Sequence, residues 1–200
     1  MILKNSLNPA FIRENYNGDR EKKIVAVGRV DANKNHEMII KAFAEIASAY
    51  PDYKLIIYGE GELRQKLIEF AADLGLEGRV ELPGSIANVA DAIHKASVFV
   101  LSSYSEGMPN TLLEAMALGI PVISTDCPPG GPGELIDHGE NGLLTPPGDC
   151  NRLAENLQKL LDNIDYAKKM GENASKVKDE FNPGVINRTW KNYLEKIMQG

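Results

Sequence analysis

Two carboxylates, Glu106 and Glu114, stand eight residues apart in Ser105-Glu106-Gly107-Met108-Pro109-Asn110-Thr111-Leu112-Leu113-Glu114, directly after the apolar run Ser97-Val98-Phe99-Val100-Leu101. A strand that ends in a Gly/Pro turn and opens a helix is a common phosphate-binding place in α/β proteins, because the first helical amides point at the ligand. The glutamates are then placed to accept hydrogen bonds from hydroxyl groups on either side of that phosphate. Upstream, Arg29 follows another short apolar run, and Lys34 lies five residues on, near a helix that His36 begins. A cation there opposes the helix dipole at a cost of about 0.3–1 kcal/mol, which an anion bridging Arg29 and Lys34 removes. A solvated surface lysine is the plainer alternative.

Some of these residues also suit purely structural roles. Thr111-Leu112-Leu113-Glu114 fits a capping box, with Thr111 capping the helix and Glu114 reaching back to the cap amide. Glu106 sits in a Gly/Pro loop and has no such local role. Asp126-Cys127-Pro128-Pro129-Gly130-Gly131-Pro132-Gly133 is a second stiff loop that opens a helix at Glu134-Leu135. It suits either a fixed wall beside a ligand or a long surface connection, and Asp126 and Glu134 are the weaker candidates.

The elements that must position these residues alternate. Strand-length runs rich in Val and Ile fall at 23–27, 53–58, 79–82, 98–101, 121–124 and 142–144. Short runs apolar at successive positions predict parallel strands covered on both faces. Between them, Met38, Ile39, Phe43, Ile46 and Tyr50, then Leu63, Leu67, Phe70 and Leu74, recur at helical spacing. The expectation is an α/β, Rossmann-like, doubly wound parallel sheet of about six strands. Ligands of such sheets bind outside the carboxyl ends of the strands. Those exits are Gly28-Arg29, Gly59-Glu60-Gly61, Pro83-Gly84-Ser85, the stretch 102–106 and the loop 125–133. Glycine recurs at these exits, either to let a ligand approach backbone or simply to turn the chain. After Leu144 the chain reads as helices, the last of which, with Val185, Ile186, Trp190, Tyr193, Leu194 and Ile197, is expected to pack around the sheet's edge.

Composition narrows the classes. Of 200 residues 43% are hydrophobic and 25% charged, which suits one folded core. Net charge is −6, so no whole-molecule field attracts nucleic acid or anionic lipid, and any anion site must be built from local cations. Cys127 and Cys150 have no CxxC spacing, and His36, His94 and His138 are scattered, so neither zinc nor a disulfide framework is signalled. Gly59-Glu60-Gly61-Glu62-Leu63-Arg64 begins like a dinucleotide fingerprint but carries Arg64 where a third small residue belongs. Neither a P-loop nor a Gly-x-Ser-x-Gly elbow occurs.

Taken together, Gly28-Arg29 with Lys34, the Glu106 to Glu114 spacing, and Ala115-Met116-Ala117-Leu118-Gly119-Ile120-Pro121-Val122-Ile123 resemble the donor-binding half of retaining GT-B glycosyltransferases of the glycosyl transferases group 1 type. The resemblance runs from about Asn8 to the C-terminus. It implies the C-terminal half of a GT-B fold, with residues 1–20 as linker and 21–200 as a nucleotide-sugar-binding domain, the acceptor domain being absent.

By the same resemblance, Arg29 and Lys34 hold the diphosphate, aided by amides around Asn110, Thr111 and Leu112. Glu106 contacts hydroxyls of the transferred sugar and Glu114 those of the ribose. Gly84, Ser85 and Ile86 line the nucleobase, and Gly28, Gly107, Met108 and Pro109 complete the donor cleft. Arg29, Lys34 and Glu106 form the implied catalytic set, with no metal and no cofactor besides the nucleotide-sugar donor, expected to be UDP-linked. The acceptor is a glycan or lipid-linked glycan of surface polysaccharide synthesis, and the implied setting is cytoplasmic, with peripheral contact at the inner face of the membrane and no nucleic-acid partner. Alone, such a half is expected to bind donor weakly and to have little activity. A GT-B sugar-nucleotide epimerase and a noncatalytic nucleotide-sugar-binding domain are the alternatives.

Overall fold

The structure is a computed structural model that describes residues 5–198; positions 1–4 of the expected linker, and 199–200, lie outside the described residues. Six strands, β1 (Glu21–Val27), β2 (Lys54–Tyr58), β3 (Val80–Gly84), β4 (Ala96–Leu101), β5 (Val122–Thr125) and β6 (Leu143–Thr145), form one sheet in the order β3-β2-β1-β4-β5-β6. Every pairing is parallel, so each connection must cross over, and helices do so on both faces. These are α1 (His36–Ile46), α2 (Arg64–Asp73), α3 (Val89–Ile93), α4 (Asn110–Ala117), α5 (Gly131–Leu135) and α6 (Cys150–Asp162). The chain ends in α7 (Ile164–Ala174), α8 (Val177–Glu180) and α9 (Pro183–Met198).

The doubled burial follows from the strand sequences. Along β1, Ile24 and Ala26 face one apolar cluster with α1, α2, α6 and α7, while Val25 faces the other with α3 and α4. β4 divides likewise, Val98 and Val100 to the first face, Phe99 and Leu101 to the second. All six expected strands are present, with ends shifted by no more than two residues.

The described part of the expected linker packs on the domain: Leu7 and Phe11 are 2% and 4% exposed, and the Leu7 amide donates to the Phe181 carbonyl at 2.9 Å. Asn15 reaches the Ser175 hydroxyl at 2.9 Å, and the half-buried Arg20 guanidinium donates to the carbonyls of Ala96 and Gly119. Burial lowers the Arg20 pKa to about 10. At the other end, Ile186 is buried, but Val185, Trp190, Leu194 and Ile197 are 41–58% exposed instead of lying against the sheet's edge. The apolar clusters that cover the sheet reach only as far along the chain as Phe181, and the rest of α9 runs past them.

Candidate functional site

The strand order reverses between β1 and β4, which are neighbours although β2 and β3 lie between them in the chain. Their exit loops diverge there and open a crevice at the carboxyl ends. Side-chain and backbone bonds stitch its walls together. The Tyr104 amide donates to the Asn33 carbonyl at 2.8 Å, the Asn33 side chain donates to the Ser105 carbonyl, and the Ser102 hydroxyl donates to the Lys34 carbonyl at 2.7 Å.

Lys34 and Glu106 meet in this crevice. The Lys34 ammonium donates to Glu106 Oε1 at 2.5 Å, with the two side chains 16% and 13% exposed. The anion beside Lys34 is therefore Glu106 itself, which answers the unfavourable helix-dipole placement seen in the sequence. Asp31 accepts from the Lys34 amide at 3.0 Å and also pairs with the Arg29 guanidinium at 3.2 Å. Arg29 is 79% exposed, so in this state Arg29 and Lys34 have separate carboxylate partners.

Glu106 is fixed from three sides. The buried Ser103 hydroxyl donates to its Oε1 at 2.7 Å; its own amide donates to the Pro128 carbonyl, and its carbonyl accepts from Gly131. Loop 126–133 is thereby a wall of the crevice. A Cβ on Gly131 would overlap the Gly107 carbonyl, so glycine at 131 is what lets the two loops touch. Asp126 and Glu134 are exposed and take no part in holding Glu106.

Helix α4 opens two residues earlier than a capping box requires. Pro109 is the cap, with no side-chain acceptor, and both Leu112 and Leu113 amides turn to its carbonyl at 3.1 Å. Thr111 is thus the second helical residue, and Glu114, in the second turn, cannot reach back to a cap, so the capping reading is corrected. The Asn110 and Thr111 amides have no intrahelical acceptor and lie directly after the Glu106 loop. The Glu114 carboxyl is half-buried with no hydrogen bond or ion pair among the described residues, and burial pushes its pKa up to about 7. Gly107 and Asn110 are exposed, Met108 and Thr111 half-buried, Pro109 and Leu112 buried.

On the other side of Gly28-Arg29, the exits of β1, β2 and β3 enclose a largely apolar cavity of about 340 Å³ lined by Val27, Gly28, Tyr58, Ser85, Ile86 and Val89, with Glu60 at hand. Gly84, the residue before Ser85, is buried at φ +90° and does not itself line the cavity. A ligand crossing Gly28-Arg29 can thus place a flat apolar group in this cavity and a charged, hydroxylated end at Lys34 and Glu106. The glycines of β2's exit have another purpose: a Cβ on Gly59 or Gly61 would strike the carbonyls of Gly28 and Val30.

Sequence reasoning gave Ser103, Asp31 and Thr125 no role. Each is a short polar residue at a strand exit, three positions from a charged partner in the cases of Ser103 and Asp31, and that spacing was the available signal. The buried His36 also went unassigned. Burial and the nearby Lys34 lower its pKa to about 4, and its Nδ1 has no partner.

Comparison with known proteins identifies relatives in sequence and in fold. The family model described as Glycosyl transferases group 1 matches residues 9–177. An N-acetylgalactosamine-N,N'-diacetylbacillosaminyl-diphospho-undecaprenol 4-alpha-N-acetylgalactosaminyltransferase of Campylobacter jejuni is 34% identical over 176 residues, 88% of this chain and 47% of that protein. Among solved structures, a sucrose-phosphate synthase from Thermosynechococcus elongatus superposes with TM-score 0.87 at 26% identity, over 100% of this chain and 53% of that one. HepE of Anabaena in complex with UDP-glucose gives TM-score 0.82 at 26% identity, over 88% and 49%. The chain spans about half the length, or less, of the curated relatives it matches. Its sheet is that of the C-terminal domain of a GT-B enzyme, and the chain belongs to the glycosyl transferases group 1 family.

Proposed function

We propose that this chain is the donor-binding half of a retaining glycosyltransferase that takes a UDP-linked sugar and delivers it to a glycan or lipid-linked glycan acceptor. The observation that carries the reading is the Lys34–Glu106 pair at the strand-order reversal, between the apolar cavity of Ser85 and Ile86 and the open first turn of α4. The uracil enters the cavity, Glu114 accepts from the ribose hydroxyls, and Lys34, Arg29 and the Asn110 and Thr111 amides receive the diphosphate. Glu106, released by Lys34, accepts from hydroxyls of the sugar.

Cleavage of the sugar–phosphate bond leaves charge on the departing diphosphate. Two cations and a helix N-terminus stabilise that charge more in the transition state than in the ground state, which is what accelerates the step. The resident groups that meet the diphosphate are all protein groups in this scheme, so turnover of the complete enzyme is expected to survive a chelator. The neighbour that holds UDP-glucose supports a UDP-linked donor, and the undecaprenol-linked substrate named for the Campylobacter relative supports a lipid-linked acceptor. No helix among the described residues is long and apolar enough to cross a membrane. The lipid-linked acceptor is what motivates peripheral contact of the complete enzyme with the inner face of the membrane in this reading.

Isothermal titration of the chain with UDP, GDP and ADP and their glucose conjugates tests the class. Binding of the uridine compounds with a clear margin is the expected result. Failure of every nucleotide to bind at millimolar concentration would sink the proposal.

A further inference from the structure

We propose that Ser103 is a positioning residue for Glu106, which it keeps oriented toward the sugar when Lys34 turns to the diphosphate. The inference rests on the donor reading above and adds a residue to it. Two donors converge on the same oxygen of Glu106: Lys34 Nζ at 2.5 Å and Ser103 Oγ at 2.7 Å. Oε2 accepts no hydrogen bond among the described residues and is the oxygen left for a ligand.

The two donors differ in freedom. Lys34 carries three N–H donors on a flexible stem and can exchange a carboxylate for a phosphate. Ser103 has one O–H on one short rotor, is 0% exposed, and has its own carbonyl held by Thr125 Oγ1 at 2.6 Å. Thr125 is itself buried at the end of β5. Glu106 is thus anchored through Ser103 to two adjacent strands, and only through Lys34 to a group that the ligand competes for. Once Lys34 engages phosphate, the serine hydroxyl is the remaining side-chain bond that keeps Oε1 turned inward and Oε2 outward. Loss of that bond frees the carboxylate to rotate, and a hydroxyl contact that depends on orientation weakens.

The test separates the sugar from the nucleotide. The chain is titrated with UDP and with UDP-glucose, UDP-N-acetylglucosamine and UDP-N-acetylgalactosamine, and the tightest sugar conjugate is carried forward. Ser103→Ala is expected to leave UDP affinity within about twofold and to weaken the sugar conjugate by roughly tenfold, the effect of one hydrogen bond to a charged group. In a Glu106→Gln background the same change is expected to add almost nothing. Should Ser103→Ala not fold, Thr125→Val, which frees the Ser103 carbonyl, is expected to give a smaller loss of the same selectivity. Equal loss for UDP and the conjugate, no loss for either, or a full loss persisting in the Glu106→Gln background overturns the positioning role. Wild-type protein that binds UDP but gains nothing from any sugar also overturns it, while wild-type protein that binds no nucleotide overturns the donor reading itself.

Discussion

Glu114 gives the clearest titration at the residue scale. Its native pKa of about 7 lies above the ordinary glutamate value because burial penalises the charged form. Between those two values the native state holds a proton that the unfolded chain has released. Stability from this group is therefore full at low pH and is lost as pH rises through about 7. Glu114→Gln is expected to raise the melting temperature at pH 8 and leave it unchanged at pH 4, as followed by circular dichroism. Lys34 makes the opposite kind of contribution, to turnover rather than to folding. In the complete enzyme Lys34→Ala is expected to cost about 2–4 kcal/mol of transition-state stabilisation, as removal of one preorganised donor does elsewhere. Near-normal kcat/KM in that variant would remove Lys34 from the phosphate role.

At the scale of elements, the start of α4 and the loop 126–133 decide the crevice. Because Pro109 rather than Thr111 caps α4, Thr111→Ala is expected to cost less than about 0.5 kcal/mol in urea denaturation, below the ~1 kcal/mol of a true cap. Gly131→Ala is expected to act differently. Its Cβ would overlap the Gly107 carbonyl, displace the loop that carries Glu106, and reduce binding of a UDP-sugar in calorimetry. The strands were legible because burial on both faces leaves unbroken, strand-length apolar runs. The Glu106 loop was legible for a similar reason, since an acid among Gly and Pro has no local work. The start of α4 was misread because Thr111 and Glu114 have the spacing of a capping box, and the sequence does not say which carbonyl the Leu112 and Leu113 amides choose.

The whole molecule shows where pattern reading runs out. Leu7 and Phe11 are isolated apolar residues in an aperiodic stretch, and the contacts of that stretch lie far along the chain: the turn of Phe11 packs on α4, the Leu7 amide meets Phe181, and the Asn15–Ser175 bond spans 160 positions. No window of sequence reports such a contact. Phe11→Ala is expected to destabilise the domain by about 3–5 kcal/mol, measured by urea unfolding, which a detached linker would not do. The stripe on α9 misled in the other direction: its helical spacing is plain, but amphipathicity names a face and not what covers it.

The Lys34–Glu106 pair also has a kinetic consequence. Charged ligands usually reach their sites faster when a cationic funnel draws them in, and added salt slows that approach. Here the whole chain carries −6, the crevice lysine is already neutralised by a glutamate, and the exposed arginine lies against Asp31. The incoming diphosphate meets no net pull until the pair has parted. Stopped-flow measurements are expected to find an association rate that does not fall as salt is added, so that the site's selectivity for its donor is expressed in how slowly the ligand leaves.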